Sequence, residues 1–414
     1  LQGTGTGYTG NRVLHLIING QTGDYEVHFN GGQQPFLHRP NDLDDTNNLQ
    51  TQNLPEATIQ KGNQHFGVLT YAAPGSPSFP ITIDGSGGNN GDGELDFGGQ
   101  PDLVWIKMRD GSQNHILFDT VRGATVSLRP DGTNAESTRS NFAFATNGFT
   151  FSVADAESYQ ANDSYVAWCW RAGGAAVANT DGTIDSEVSA NTAAGFSIVS
   201  YTGTGDNATV GHGLSSPPNF AIFKNRDNGS NWAVGGDAID SWGTALYLNL
   251  DSVKETTGGP FFNNGTNPTA SVINLGSSAN TNGNDNDMIA YCWHSVPGFS
   301  AFGLINGNGS DSGPFIYTGF RPAFVLIKSA NQGWDWFIWD TTRDVANPSN
   351  QVLKPNLTQD ETAASSPIQE IDILSNGFKI YGDNQVNQPN SQQVYAAFAE
   401  NPFGGENTAP ANAR

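Results

Sequence analysis

One strand is written three times in this chain, as "PDLVWIK" (101–107), "PNFAIFK" (218–224) and "PAFVLIK" (322–328). Each copy opens with Pro and closes with Lys, and the copies stand 117 and 104 residues apart, from 101 to 218 to 322. A period near a hundred residues is too long for a solenoid unit and fits an independent domain. Other landmarks keep the same order. Each repeat begins with an apolar strand and a Gly-rich turn, at 65–75, 195–205 and 298–309. Each ends with another strand, "YVAWCWRAGG" (165–174), "MIAYCWHSVPG" (288–298) and "VYAAFAENPF" (394–403). "LFDTVRG" (117–123) and "TNGFTF" (146–151) return as "FIWDTTRD" (337–344) and "SNGFKI" (375–380), whereas the middle of the second repeat has diverged.

The predicted organisation follows from these landmarks. A non-repeating β segment and linker spans 1–64, then repeat one spans 65–174. A linker rich in Ala, Asn and Thr runs over 175–194, repeat two over 195–297, repeat three over 298–404, and a tail over 405–414. No long segment keeps a helical period free of Gly or Pro. The predicted fold class is therefore all-β, as tandem antiparallel β-sandwich or jelly-roll-like domains in three homologous repeats. Within the recurring strand, Leu103, Trp105 and Lys107 share one face and Val104 and Ile106 the other. Apolar residues on both faces predict cover on both sides. Lys at the end is expected to lay its stem on the core and its amine in water. "RDGSQN" turns the chain and "HILF" returns antiparallel.

Composition sets limits on function. Asp and Glu number 40 against 18 Lys and Arg, for a net charge of −22. Such a surface argues against nucleic acid or anionic membrane as an electrostatic partner. No apolar run reaches the roughly 18 residues a spanning helix needs, so no membrane insertion is expected. The start, "LQGTGTGYTG", lacks Met and a signal-peptide pattern, so a processed product or a fragment of a longer chain is expected.

Candidate sites are few. Cys169 and Cys292 sit in matching closing strands, with Phe398 taken as their counterpart in repeat three, which predicts buried apolar thiols without a disulfide. Asp119 and Arg122 recur as Asp340 and Arg343, and a loop-fixing ion pair is the expected structural role, ahead of catalysis. Seven scattered histidines form no zinc pattern. No nucleophile elbow or phosphate loop occurs, so no catalytic residue and no enzyme activity is expected. Asp92, Glu94 and Asp96 alternate in a Gly-rich loop and are candidate Ca²⁺ ligands, the one cofactor considered; a solvated turn is the competing reading. Asn284, Asp285 and Asp287 pose the same choice. Trp334, Trp336 and Trp339 crowd "GWDWFIWD" and are candidates for stacking on sugar rings or a protein partner, although core packing is expected to claim at least half of them.

"QPDLVWIK", "DTVRGAT", "YVAWCWRAGG", "GFSIVSYTGTGDNATVGHG" and "GPFIYTGFRPAFVLIK" with "WDTTRD" resemble a repeat domain of tail-fibre-like virion proteins of tailed bacteriophages, of the marine and cyanobacterial type. The resemblance covers about 65–404. Upstream, "NGGQQPF" and "LQTQNLPEATI" resemble the junction after a SPRY-like sandwich, which makes the N-terminal segment a remnant of that domain. The loop 76–96 and the missing bulk of the SPRY-like part depart from the pattern. The resemblance implies a homotrimeric fibre or spike in the virion. It would contact other virion proteins and attach to a host cell-surface glycan or protein. A purely architectural capsid- or tail-decorating protein and a polysaccharide-degrading tailspike are the alternatives.

Overall fold

The computed structural model describes residues 57–403 apart from 76–77, 87–91, 94, 257–258, 364–369 and 383–384. The expected N-terminal segment lies almost wholly outside the described residues. The fold is nearly all β, built from antiparallel sheets.

Three large sheets share one strand order. An opening strand pairs with a closing strand, which pairs with the lysine strand, which pairs with a return strand. In module 1 these are Phe66–Ala72, Ser164–Trp170, Leu103–Met108 and Ile116–Asp119. In module 2 they are Phe196–Thr202, Asp287–Trp293, Phe220–Asn225 and Ala233–Gly235. In module 3 they are Ser300–Asn306, Gln392–Pro402, Phe320–Ser329 and Trp336–Asp340. The first and last segments of each module are thus neighbours, and the central pair is non-local. The return of "HILF" onto the lysine strand places Ile116 opposite Ile106 and Asp119 opposite Leu103.

The alternation of side chains decides what packs where. One face of each large sheet covers a smaller sheet, made of 81–83, 142–145 and 148–151 in module 1 and of 208–211 and 272–275 in module 2. In module 3 the smaller sheet comprises 312–317, 371–374 and 377–381. Val104, Ile106 and Cys169 fill the sandwich core of module 1, and Ala221, Phe223 and Cys292 that of module 2. The opposite faces turn toward one another and fuse. Leu103, Trp105 and Trp168 from module 1 join Phe220, Ile222 and Tyr291 from module 2, and Phe324, Leu326 and Ala396 from module 3, in one common core. At its centre the rings of Trp170, Trp293 and Phe398 touch pairwise at centroid distances of 6.2, 5.6 and 6.4 Å. The expected two-sided cover of the recurring strand is what the structure shows, and its second cover is the other two modules.

Three details differ from the expectations. The segment 175–194 is no free linker: Val177–Asn179 and Ser186–Asn191 extend the sheet of module 2 beyond its opening strand. These strands are polar and half exposed, so their alternation is weak, but the neighbouring strand still offers a backbone ladder to pair with. The counterpart of the cysteines in module 3 is Ala397, not Phe398. Cys169 faces Val104, Cys292 faces Ala221 and Ala397 faces Val325, whereas Phe398 matches Trp170 and Trp293. Both cysteines are nonetheless free and buried. Finally, the lysine amines are not in water.

Candidate functional site

Lys107, Lys224 and Lys328 are completely buried. Each ammonium donates to the carbonyl of the next residue, Met108, Asn225 or Ser329, at 2.6, 2.8 and 2.6 Å. Lys224 also donates to the Thr133 carbonyl of module 1 at 3.2 Å, and Lys328 to the Asp251 carbonyl of module 2 at 3.2 Å. Burial pulls all three pKa values down to about 8. The amine stays inside because turn carbonyls replace its water, the condition under which a buried charge is tolerated. Lys224 and Lys328 thus bond across seams, while Lys107 bonds within its own module, to the Met108 and Gly111 carbonyls.

The seams are built alike around the ring. A ring nitrogen at the start of each return strand, or just before it, donates across a seam. Trp232 Nε1 reaches the Arg129 carbonyl at 2.9 Å, Trp336 Nε1 the Tyr247 carbonyl at 2.9 Å, and His115 Nε2 the Lys354 carbonyl at 3.0 Å. The tautomer of His115 follows from Trp105, whose indole N–H donates to Nδ1 at 2.9 Å and leaves the proton on Nε2. Backbone amides repeat the pattern: Glu136 N bonds Arg226 O, Lys254 N bonds Ala330 O, and Glu361 N bonds Arg109 O. Module 1 therefore meets 2, 2 meets 3, and 3 meets 1, a closed threefold-like ring within one chain. At the 3–1 seam Gly62 passes so close to the Ala399 carbonyl that a Cβ would stand 2.2 Å from it.

Two seams carry an added ion network. Asp119 pairs with Arg122 Nε at 2.5 Å, both side chains fully buried, and accepts the Tyr291 hydroxyl of module 2 at 2.7 Å. Arg122 continues to Glu136, which Arg226 of module 2 grips through Nε at 2.9 Å and Nη2 at 3.1 Å. Asp340 repeats this with Arg343 at 2.5 Å and accepts Trp168 Nε1 of module 1 at 3.0 Å. Arg343 continues to Glu361, gripped by Arg109 of module 1 at 2.7 and 3.0 Å. Each Asp also caps its own turn, accepting the backbone N–H of the Arg three residues on, at 2.8 and 2.9 Å. Asp119, Arg122, Asp340 and Arg343 thus fix loops, and they join modules as well. The sequence reading missed Glu136, Glu361, Arg109, Arg226, Trp168 and Tyr291. A usable signal was present, since Arg follows the lysine by two residues in the two copies that receive a network.

The other candidates fall elsewhere. Trp336 and Trp339 are fully buried, so neither offers a face to an external ligand. Both faces of their strand are covered, one by the seam and one by the sandwich core. Trp334 is half-buried, with Nε1 3.4 Å from Gln388 Oε1. Of the Ca²⁺ candidates, Glu94 and the side chain of Asp92 lie outside the described residues. Asp96 is exposed, accepts from Gln64 at 3.2 Å and lies 3.9 Å from Lys61. Among the described residues no group of three or more His, Cys, Asp or Glu is placed to hold a metal.

Beside the end of each closing strand lies a surface hollow. The largest, about 580 Å³, is lined by His65, Gly99, Gln100, Asp102, Arg171 and Asn191 among others. Its counterpart in module 2, about 560 Å³, carries Pro217, Asn219 and His294 at the positions of Gln100, Asp102 and Arg171. In module 3 a hollow of about 320 Å³ includes Arg321 and Glu400, which pair with each other at 3.3 Å.

Three β-sandwiches closed on a shared core define an all-β protein whose recurring polar residues hold module to module. Residues 78–402 match the family described as a domain of unknown function, DUF7483, and the chain belongs to that family. No curated protein matches it.

Proposed function

We propose that this chain is a structural protein of a tailed-bacteriophage virion, part of a tail fibre or related appendage, that contributes to host-surface attachment. One observation carries the reading. The stretches that resemble the virion repeat domain, "QPDLVWIK", "DTVRG", "YVAWCWRAGG" and "WDTTRD", are the ones that form the common core and the seams. The signature is architectural, and its buried carboxylates are held by arginines and by Tyr or Trp donors rather than aimed at an open cleft. A rigid closed module suits a particle exposed outside cells. Attachment would gain from several copies on a symmetric assembly, because linked weak sites add avidity without new contacts. The test is adsorption of the purified chain to host cells and to a glycan array, with the native mass measured in parallel. Binding together with a trimer is the expected result. Absence of binding in both assays removes the attachment role, and a large polymer would point to a shell or tube instead.

A further inference from the structure

We propose that the hollow beside Arg171 binds the carboxylate of an acidic sugar. The eight arginines among the described residues divide unequally. Arg109, Arg122, Arg129, Arg139, Arg226, Arg321 and Arg343 each pair with a carboxylate. Arg171 alone has no acidic partner within 4.0 Å among the described residues, in a chain of net charge −22. Its guanidinium lies over the Gly98–Gly99 turn, with Nη1 and Nη2 4.0 Å from where a Cβ on each glycine would stand. Arg171 is half-buried, and it lines the largest of the three hollows.

The surrounding groups fit a sugar. Asn191 Oδ1 accepts the Ala194 N–H at 3.1 Å, which fixes the amide so that Nδ2 donates to His65 Nδ1 at 3.0 Å. The proton of a neutral His65 is then on Nε2, a donor. Burial and then Arg171 lower the His65 pKa, which keeps the ring neutral near pH 7. Gln100 adds a partner for a hydroxyl, while the Gly173 N–H is already held by Ser189 Oγ at 3.0 Å. A guanidinium binds a carboxylate through two parallel hydrogen bonds. The single cation of this hollow interacts with the buried Asp102 from beyond ion-pair distance. That leaves room for a monoanion rather than a dianionic phosphate, which calls for more than one cation. The comparable hollows lack this chemistry, since His294 replaces the arginine in one and Glu400 neutralises Arg321 in the other. The hollow's volume falls within the usual range of small-ligand sites.

The proposal rests on the attachment reading only for the source of the ligand, a host-surface glycan. The test is NMR titration of the full chain with N-acetylneuraminate and glucuronate, with galactose, N-acetylglucosamine and inorganic sulfate alongside. The acidic sugars are expected to bind and the neutral sugars not. Arg171→Gln should weaken the acidic sugars at least about tenfold, and Arg171→Lys should weaken them less, since charge remains but the fork is lost. An unchanged melting temperature of Arg171→Gln shows that the fold is intact. Equal affinity for wild type and Arg171→Gln, or sulfate or galactose binding as tightly as glucuronate, overturns the proposal. Host-cell adsorption separates the two readings. Adsorption that Arg171→Gln leaves intact, with no sugar titration, removes the site and keeps attachment. Arg171-dependent titration without adsorption keeps the site and removes attachment.

Discussion

The seams that join module 1 to its two neighbours and the seam between modules 2 and 3 share a frame and differ in chemistry. All three have a ring nitrogen donating to a carbonyl and an amide donating to a carbonyl. Two add a buried Asp–Arg–Glu–Arg network. The third lacks it and has Lys328 donating to the Asp251 carbonyl, and Lys254 reaching Gln392 of module 3 at 3.3 Å and the exposed Asp240 of its own module at 2.9 Å. Both halves of the network are missing from that seam together. Module 2 has no Asp-x-x-Arg, and module 3 carries Ala330 where Arg109 and Arg226 stand and Ala396 where Trp168 and Tyr291 stand. The joint absence has a physical reason, because half of such a network would leave a charge buried without a partner. The modules at the plain seam are also joined by a short chain connection between Trp293 and Ser300. The 3–1 seam has no covalent link within the described residues and carries the network.

The largest effect is expected at the centre, which all three seams share. Trp170→Ala removes a ring that touches Trp293 and Phe398 and should cost about 3–5 kcal/mol in urea unfolding. A loss confined to module 1 by hydrogen exchange would break the account of a common core. Next, Asp340→Ala strands the buried Arg343 and should cost about 3 kcal/mol, with exchange rising on both sides of the 3–1 seam. A change below about 0.5 kcal/mol would put the network on the level of a surface pair.

The three buried lysines give a smaller, pH-dependent effect. Burial holds their folded pKa at about 8 against an ordinary 10.5. Between these values the unfolded chain binds more protons than the folded one, so stability rises with pH across the window. The urea midpoint should climb between about pH 8 and pH 10, on the order of 1 kcal/mol per lysine. A falling midpoint would show that the ammonium form is favoured by the seam. The smallest effect is expected beside the plain seam: Asp240→Asn should change stability by less than about 0.5 kcal/mol, because Asp240 is exposed and pairs with Lys254 of its own module. A larger loss would erase the contrast between seams.

The sequence made the strands legible where apolar alternation was strong. The recurring strand, its two-faced cover and the return of "HILF" were readable because Val, Ile, Leu and Trp leave few other ways to pair. The polar strands at 177–179 and 186–191 were not, since a neighbour's edge specifies them more than their own residues do. The displaced cysteine counterpart arose from matching residue types. The register of the third module, with its irregularity between Arg321 and Phe324, decides the pairing instead. The fate of Lys107 was hidden because alternation gives the face of a residue and not what covers it. For the same reason the seam that buries Trp336, through the Tyr247 carbonyl of module 2, has no mark in the sequence. Arg171 carries no local mark in the sequence; only the pairing of the other seven described arginines singles it out.

The central claim is that three sandwiches close into one cooperative body around a shared core. Scanning calorimetry of the intact chain tests it most directly. A single transition, with calorimetric and van't Hoff enthalpies in agreement, is the expected result. Two or three separate transitions, each with the enthalpy of a lone module, would contradict it.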